Sequence, residues 1–501
     1  MPKIPRTMAT QHPDNARAPY WERDGDGYVS TSEEVTECVD AFRTLGVEEF
    51  MWDWEGKFTD EAVIDRLFHH HFQYFKKNPL GLRKRLTFRI PNIWQEKGYS
   101  LIRSLMVILT SEDFAQDLKF HSPPLFEIIL PMTENAKQLI FIQKSFQELA
   151  RLKCKMFGKL LCKNTEYINI IPLFEGVDTQ IRAKKILKEY ISLHKKTFGS
   201  SPTDIRVFIA RSDPAMVSGI VSTVLANKIA LSDLRELEVE TGIRFYPILG
   251  AGSLPFRGGL NPENIKDFEA EYKGVHTITI QSAFRYDYPT PKVKRAIAYY
   301  NKEVPAKPDI ISTKDREKLI DIIAIFEKEY KRDLAALALD LRFAFDSFPR
   351  RRERHLHIGL LSYGRKMDKV SLPRAITFTG SFYSLGLPPE FLGIAGFKKL
   401  NMPQFVLLRT YYQNCIKNFT QAGKFLNWGN LKKLSIKKSG WKKIMSDIES
   451  GKNVLDVNFG PKTGKDLRYS KLSSKLLHSK KNPEKVKKLI TEMGILRNSL
   501  G

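Results

Sequence analysis

The chain has 501 residues, 42% hydrophobic and 11% aromatic, which is enough to bury a large core and excludes an intrinsically disordered protein. Its formal net charge of +25 suggests nucleic-acid binding as one hypothesis. However, the lysines of residues 430–444 and 479–490 alternate with apolar residues, as they do on solvated helix faces. Because no RNP-type motif, zinc finger or helix-turn-helix is recognisable, we attribute the charge to a proteome-wide lysine excess or to attraction for anionic metabolites, in preference to a nucleic-acid groove.

Eight short apolar runs, each ending in polar or glycine residues, predict β-strands. Their ends fall roughly 30 to 45 residues apart, which suits a strand followed by a crossover helix. The intervening segments have helical patterns, such as residues 31–46 and 213–242, which both end on glycine. Runs that alternate with helices predict a parallel sheet, and eight repeats predict an α/β fold, a closed (β/α)8 barrel of the TIM type. The runs are residues 7–12, 49–56, 86–92, 125–132, 167–176, 204–213, 244–253 and 276–284.

Strand patterns become sparse after Pro289, and helical patterns such as residues 315–348 take over. We therefore predict two domains. Residues 1–289 form the barrel that carries the active site, and residues 290–501 form a large, mostly helical region packed on it that supplies the C-terminal tail. This second region contains one glycine-rich element at residues 372–393.

Charged and polar residues gather at the carboxyl ends of the predicted strands, where barrel active sites are assembled. The strand interiors are expected to be almost free of charge. A purely structural barrel has no need to collect such groups at one rim, so we predict an active site there. The residues are His12, Asp53, Glu55, Arg89, Glu134, Glu175, Arg211, Asp213, Ser253, Arg257, Gln281 and Arg285.

His12 lies in the stretch "MATQHPDNA", residues 8–16, at the end of the first strand. Pro13 cannot donate to a sheet ladder, so the strand ends here and leaves the imidazole at the rim. Such a histidine can act as a general base, or it can simply pack the turn.

Glu175 and Asp213 follow two neighbouring strands, whose ends lie about 5 Å apart in a barrel. Two carboxylates with no nearby cysteine suit Mg²⁺ or Mn²⁺. Alternatively, each acid pairs with an arginine of the rim, and the residues alone leave both interpretations open.

The loop "GAGSLPFRGG", residues 250–259, follows the seventh strand, where many barrels bind phosphate. Its glycines allow close approach to backbone N–H groups, and Arg257 can bind an anion with two parallel hydrogen bonds. Together with Arg89, Arg211 and Arg285, this loop predicts a small phosphorylated and carboxylated anion as the ligand.

Several of these segments resemble motifs of one family, the phosphoenolpyruvate carboxylases, and specifically its short, archaeal-type branch. "TQHP" resembles the family's "TAHPT", and "GAGSLPFRGG" aligns without gaps on "GRGGSIGRGG". The matches occur in one order along the chain, which makes chance an insufficient explanation. The other matching segments are "IPLFEGVD" (171–178), "RSDPAMVSG" (211–219), "IQSAFRY" (280–286), "LPRAITF" (372–378) and "ILRNSLG" (495–501).

The resemblance implies roles for individual residues. His12 is the implied catalytic base, Arg257 a second catalytic residue, and Glu175 and Asp213 the ligands of Mg²⁺ or Mn²⁺. The residues implied in substrate and phosphate binding are Arg89, Arg211, Ser253, Gly258, Gly259, Gln281 and Arg285.

The sequence also departs from the long enzymes of the family. Leu249, Ala251 and Met216 replace a histidine, an arginine and a lysine of those enzymes, so part of the anion binding must come from other residues. Arg257 and Asn498 match part of an effector site of the long enzymes.

The implied reaction is the irreversible carboxylation of phosphoenolpyruvate with bicarbonate to oxaloacetate and phosphate, by a carboxy-lyase that replenishes the tricarboxylic acid cycle. The implied assembly is a homotetramer. Other hypotheses are another magnesium-dependent barrel enzyme acting through an enolate (aldolase-like or kinase-like), a nucleic-acid-binding protein, and an inactive barrel serving as a scaffold.

We also predict a cytoplasmic protein that partners neither membranes nor nucleic acid. No run of about 18 apolar residues could span a bilayer, and the first residues lack the apolar stretch of a signal peptide. Cys38, Cys154, Cys162 and Cys415 form no CxxC pair, which fits a reducing compartment and argues against a structural zinc site.

Overall fold

The computed structural model describes residues 3–22, 24–57, 59–95, 98–120, 122–157, 167–353, 361–367 and 370–501. Cys162 lies outside these residues.

Eight parallel strands pair in chain order, and the first pairs with the eighth to close a barrel. The register at the closure places Thr7 opposite Ile278. All eight strands overlap the predicted runs, so the predicted barrel is confirmed. The strands are β1 (Thr7–Thr10), β2 (Glu49–Asp53), β3 (Arg85–Arg89), β4 (Glu127–Leu130), β5 (Asn169–Phe174), β6 (Asp204–Ala210), β7 (Arg244–Gly250) and β8 (Thr277–Ile280).

Helices follow the strands and surround the barrel with apolar faces turned inward. Between these helices and the outer face of the sheet lies one large core, to which Trp52, Phe88 and Phe146 belong. The helices are α1 (Glu34–Arg43), α2 (Val63–Lys77), α3 (Gly98–Asp117), α4 (Ala136–Phe157), α5 (Val177–Ile181), α6 (Ala183–Phe198), α7 (Ser212–Ser218), α8 (Ile220–Thr241), α9 (Ile265–Glu271), α10 (Ser282–Tyr286) and α11 (Thr290–Lys302).

The barrel interior is charged at its amino-terminal end, so the expectation of nearly uncharged strand interiors is wrong. Arg206 of β6 donates to both carboxylate oxygens of Glu49, at 2.8 and 2.6 Å, and to Glu127 at 3.0 Å. Arg85 donates to the same Glu127 oxygen at 2.7 Å. These groups alternate with apolar residues along their strands, so each points inward and finds its partner only across the closed barrel. Above them lies a small apolar layer that includes Met51, Phe208 and Ile248.

The remaining chain is mostly helical, as predicted, with one antiparallel hairpin that the sequence pattern did not predict. The glycine-rich element at residues 372–393 begins on the second hairpin strand and continues into helix α14. These elements are β9 (Leu361–Met367), β10 (Val370–Pro373), α12 (Thr313–Leu337), α13 (Arg342–Asp346), α14 (Ala375–Leu385), α15 (Met402–Tyr411), α16 (Cys415–Gly423), α17 (Trp428–Lys437), α18 (Ser439–Leu455), α19 (Gly464–His478) and α20 (Pro483–Arg497).

Helix α8 joins the barrel to the helical region. Its first half, through Ile229, packs in the core of the helical region, whereas Ala230 to Leu237 pack in the barrel core. Helix α11, although it follows residue 289, buries Val293 and Ile297 in the barrel core. The division at residue 289 stays a prediction, and the packing shows that the barrel's outer layer extends through α11.

Cys38 and Cys415 are free and buried. Among the helices of the described residues, none is both long and apolar enough to cross a membrane.

Candidate active site

His12 follows β1 at the carboxyl end of the barrel, and its backbone is fixed from two sides. The N–H groups of Asp14 and Ser282 donate to its carbonyl oxygen at 3.0 and 3.3 Å. Its Nδ1 lies 2.8 Å from Oγ1 of Thr10, the last residue of β1. The partly exposed imidazole is thus oriented at the rim, where a general base is required.

Arg257 is almost fully buried and joins four parts of the chain. Its Nη1 donates to Asp14 at 3.0 Å and to the main-chain oxygen of Gly501 at 2.6 Å. Its Nη2 donates to Gln281 at 2.6 Å, and Nε donates to Ser212 at 3.2 Å. Arg257 therefore ties the glycine-rich loop (residues 250–259) to the ends of β1 and β8 and to the tail (residues 498–501).

Asp14, the partner of Arg257, is itself buried, and it also accepts a 2.7 Å hydrogen bond from the N–H of Ala283. Burial raises the pKa of Asp14 above its ordinary value, although the Arg257 guanidinium opposes this shift. Sequence analysis did not single out Asp14, although it lies two residues after His12 in the quoted motif.

Arg211 binds the glycine-rich loop in this structure instead of pointing freely to the rim. It donates to the carbonyl oxygens of Phe256 and Pro255, at 3.0 and 3.4 Å, and to the Tyr272 hydroxyl at 2.9 Å. These contacts support the loop, and the predicted role of Arg211 in phosphate binding stays a prediction.

The loop has little room for other side chains. Gly258 has φ +118°, and a Cβ there would lie 2.6 Å from the Cβ of Ala251. Gly259 also has a positive φ, of +75°. Ala251, near the start of the loop, is itself buried. The Ser253 hydroxyl is buried without a hydrogen-bond partner among the described residues and can still bind a ligand.

Glu390, from the helical region, holds the loop from its other side. Its Oε1 accepts from the Phe256 N–H at 2.8 Å and from the Tyr383 hydroxyl. Burial raises the pKa of Glu390 to about 7. Nothing in the sequence pattern connected this residue with the loop.

Arg89 ends β3 and is held by two acids that end β2. Its Nε and Nη2 bind the two carboxylate oxygens of Asp53 at 2.9 and 2.7 Å, and Nη1 lies 2.8 Å from Glu55. Burial alone would lower the pKa of Arg89, but Asp53, Glu55 and Glu175 together raise it well above its ordinary value. Arg89 is therefore a fixed positive charge beside Glu175.

Arg285 of α10 is fully buried and anchored through one nitrogen. Nη2 donates to the carbonyl oxygen of Thr10 and to Glu37, both at 2.8 Å, and to Ser282 at 3.2 Å. Its Nε and Nη1 have no hydrogen-bond partner among the described residues. Burial lowers the pKa of Arg285, and Tyr286 and Glu37 more than offset this, so the guanidinium stays charged.

Glu175 directly follows β5, and Asp213 lies in the first turn of α7 after the neighbouring strand β6. Both side chains are partly exposed at the rim. Their carboxylate oxygens are the donors that Mg²⁺ and Mn²⁺ prefer, so the two residues fit such an ion. In the part of the chain that the structure describes, no group of three or more His, Cys, Asp or Glu side chains is placed to hold a metal ion.

The two residues of the predicted effector site have different partners. Asn498 caps α20 with φ +54°, and its Oδ1 accepts from Arg17 at 3.3 Å. Arg257 contacts the tail at Gly501 instead. Glu134, another predicted rim residue, is exposed.

A (β/α)8 barrel with an oriented histidine, two acids on neighbouring strand ends and buried arginines at one rim defines a class of barrel proteins suited to a small anionic substrate. A family model described as phosphoenolpyruvate carboxylase matches residues 4–501. The chain therefore belongs to the phosphoenolpyruvate carboxylase family.

Relatives of known name agree over the full length. The chain is 43% identical to the phosphoenolpyruvate carboxylase of Leuconostoc mesenteroides subsp. mesenteroides, with 100% of this chain and 99% of the relative covered. It is 42% identical to that of Oenococcus oeni, with 100% and 99% covered. It is 38% identical to that of Metallosphaera sedula, with 100% of both chains covered. The resemblance found in the sequence is thus confirmed.

Proposed function

We propose that this chain carboxylates phosphoenolpyruvate with bicarbonate, as a carboxy-lyase, and releases oxaloacetate and phosphate. The observation that carries the proposal is the full-length match to the family, in a chain whose rim brings His12, Arg89 and Arg285 to one end of the barrel.

The groups that bind the anionic substrate are Arg285 and Arg89, which other residues hold in place and which remain positively charged at the rim. Arg285 retains two N–H-bearing nitrogens without protein partners among the described residues, and the Ser253 hydroxyl adds a neutral donor. Arg89 supplies a fixed charge beside Glu175. These groups suit the phosphate and carboxylate of the substrate.

Glu175 and Asp213 are the residues that would hold Mg²⁺ or Mn²⁺. Such an ion supplies Lewis-acid stabilisation of negative charge that develops on substrate oxygens.

His12 is the proposed base. After bicarbonate attacks phosphorus, the products are carboxyphosphate and the enolate of pyruvate. His12 takes the carboxyl proton, so that carboxyphosphate breaks down to CO₂ and phosphate, and the enolate carbon then attacks CO₂. The base must sit at the rim for this step, and the main-chain hydrogen bonds to Asp14 and Ser282 fix its backbone there.

The glycine-rich loop excludes water around the CO₂ before it reacts. Arg211 and Glu390 hold the loop through its main chain, and Arg257 joins it to the tail. A loop tied at these points covers the site without adding side chains that compete for the substrate.

The proposal extends to the cellular setting. We propose a cytoplasmic enzyme, since both substrates are small anions, and an assembly of several copies, by analogy with the family's tetramer. Neither membranes nor nucleic acids are proposed as partners.

The test is an assay of oxaloacetate formation, coupled to malate dehydrogenase, with and without bicarbonate and Mg²⁺. Oxaloacetate should form only when phosphoenolpyruvate, bicarbonate and the metal are all present. Pyruvate formation that requires a nucleotide would favour a kinase-like enzyme instead, and a condensation product with an aldehyde would favour an aldolase.

A further inference from the structure

A chain of buried charged groups links the helical region to the rim. Arg352, which follows α13, donates to both oxygens of Glu37 on α1, at 2.8 and 2.7 Å. The same Glu37 accepts from Arg285 at 2.8 Å. The side chains of Arg352, Glu37 and Arg285 are at most 1% exposed. Two buried guanidinium groups therefore share one carboxylate.

The segment around Arg352 is fixed independently of this link. The N–H of Val29 donates to the Arg351 carbonyl oxygen at 3.0 Å, and Arg351 donates to the carbonyl oxygens of Ala16 and Asp26 at 2.8 and 2.7 Å. Arg352 also donates to Glu34 at 2.8 Å. Its guanidinium is thus a rigid support for Glu37, not a mobile surface charge.

Glu37 accepts only one hydrogen bond from Arg285 while it is also bound to Arg352. Nη2 of Arg352 donates to both Glu37 oxygens, and of these only Oε1 also accepts from Arg285, through the single nitrogen Nη2. The Nε and Nη1 of Arg285 remain without hydrogen-bond partners in the part of the chain that the structure describes. Buried donors of a charged group are normally paired with protein, water or a ligand, and Arg285 leaves two of its three nitrogens available for such a partner.

Other groups around Arg285 do not provide that partner. The Tyr286 ring lies under the guanidinium, 4.9 Å from its Cζ. Burial raises the pKa of Cys38 and of Tyr286, so both stay neutral near pH 7. The Thr10 oxygen and Ser282 bind the same Nη2 as Glu37 does. Thr10 is also the residue that orients His12, which places the free donors of Arg285 in the neighbourhood of the proposed base.

We propose that Arg352 is a positioning residue for substrate binding. By donating to both oxygens of Glu37, Arg352 keeps Glu37 bound to Arg285 through one nitrogen only. The Nε and Nη1 of Arg285 then stay available to the anionic substrate. The proposal rests on the proposed function, in which Arg285 binds phosphoenolpyruvate. Without Arg352, the carboxylate is free to bind Arg285 with two parallel hydrogen bonds, a geometry that arginine and carboxylate favour. Glu37 would then compete with the substrate for the same donors.

The experiment measures KM for phosphoenolpyruvate and kcat in wild type, Arg352→Gln and the matched control Arg350→Gln. Arg350 is an exposed arginine two residues away. We expect KM to rise about tenfold or more in Arg352→Gln, the effect of losing a hydrogen bond to a charged group, with a smaller change in kcat. Arg350→Gln should match wild type. An unchanged KM in Arg352→Gln would overturn the proposal.

A double-mutant cycle separates positioning from general stability. In an Arg285→Lys background the donors that Glu37 competes for are gone, so Arg352→Gln should raise KM less than threefold further. An equal effect of Arg352→Gln in both backgrounds would mean that it acts independently of Arg285, which overturns the proposal. Circular dichroism and thermal melting verify folding in each variant.

If Arg352→Gln does not fold, Arg352→Lys replaces it, because lysine keeps the charge but has a single nitrogen, whereas Arg352 binds Glu34 through Nη1 and Glu37 through Nη2. It should raise KM in the wild-type background but not in Arg285→Lys, and a wild-type KM would count against the proposal. A wild-type enzyme that forms no oxaloacetate would instead contradict the proposed function, so the two failures are distinguishable.

Discussion

At the scale of single residues, His12 is the group whose replacement separates the steps of the proposed reaction. Attack of bicarbonate on phosphorus depends on charge stabilisation, whereas breakdown of carboxyphosphate requires the base. Asparagine has similar size and polarity, and the hydrogen bonds from Asp14 and Ser282 reach the main chain of residue 12, so the fold should persist.

We therefore expect His12→Asn to release phosphate in a bicarbonate-dependent way while forming pyruvate in place of oxaloacetate. The measurement is the ratio of phosphate released to oxaloacetate formed, which should be near one in wild type. Oxaloacetate formation at the wild-type rate would show that His12 only ends the strand.

Glu175→Ala and Asp213→Ala should each abolish metal-dependent turnover while leaving the protein folded. Both side chains are partly exposed at the rim, so their removal costs little packing but eliminates a proposed metal ligand. Mn²⁺ affinity, measured by titration calorimetry, should fall with activity. Asp178→Ala is the matched control, since Asp178 is an exposed acid nearby that pairs only at the surface with Arg182 among its described contacts. Wild-type metal affinity in either rim variant would contradict the assignment.

At the scale of elements, the glycine-rich loop depends on the planar guanidinium of Arg257. Four groups accept from it in different directions: Asp14, Ser212, Gln281 and Gly501. Lysine retains the charge but cannot reach all of them at once. We expect Arg257→Lys to lower kcat on the order of 10²-fold, comparable with the loss of one preorganised donor. Unchanged kinetics would mean that the loop needs only a positive charge at this position.

The same loop gives the protein a predictable pH dependence through Glu390. Burial raises its pKa to about 7, so the folded state keeps the proton while the unfolded chain loses it above about pH 4.5. The stabilising contribution of Glu390 is therefore fully present below about pH 4.5 and is lost as the pH rises through about 7. The loss amounts to about 1.4 kcal/mol for each unit by which the folded pKa exceeds the unfolded one. Tyr383, the Phe256 N–H and Arg211 are the groups that face it.

Glu390→Gln removes the titrating proton and keeps an oxygen that accepts from Phe256. We expect the difference in melting temperature, Glu390→Gln minus wild type, to become more positive as the pH rises from 5 to 8. Asp287 also has a pKa raised to about 7, but it is present in both proteins and cancels in the comparison. A difference in melting temperature that does not vary with pH would contradict this assignment.

At the scale of the whole molecule, stability rests on a barrel whose interior contains paired charges. Arg206 is fully buried between Glu49 and Glu127. Arg206→Leu should lower the free energy of unfolding by about 3–5 kcal/mol, because it leaves the buried Glu49 carboxylate without its arginine and leaves Glu127 with Arg85 alone. Chemical denaturation measures the loss. Arg244→Leu, at an exposed strand position, should have little effect, and equal stability of Arg206→Leu and wild type would contradict the argument.

The sequence alone determined the barrel and most of the rim. Strand–helix alternation depends on local periodicity, so each strand could be predicted from its own residues, and His12, Glu175 and Asp213 follow directly from strand ends. Motif resemblance likewise gave the family, because matching residues are local in the chain.

Tertiary structure alone decided which partners the charged residues have. Arg211 supports the glycine-rich loop. Glu390 binds the same loop although it lies more than 100 positions further along the chain, and Arg352 is linked to Arg285 through Glu37. The charged barrel interior was mispredicted for the same reason, since Arg206 and Glu49 meet only when the sheet closes. The periodicity of a segment predicts which face of a helix or strand a side chain lies on. Hydrogen bonds between distant segments depend on how helices and strands pack, which no local sequence pattern predicts.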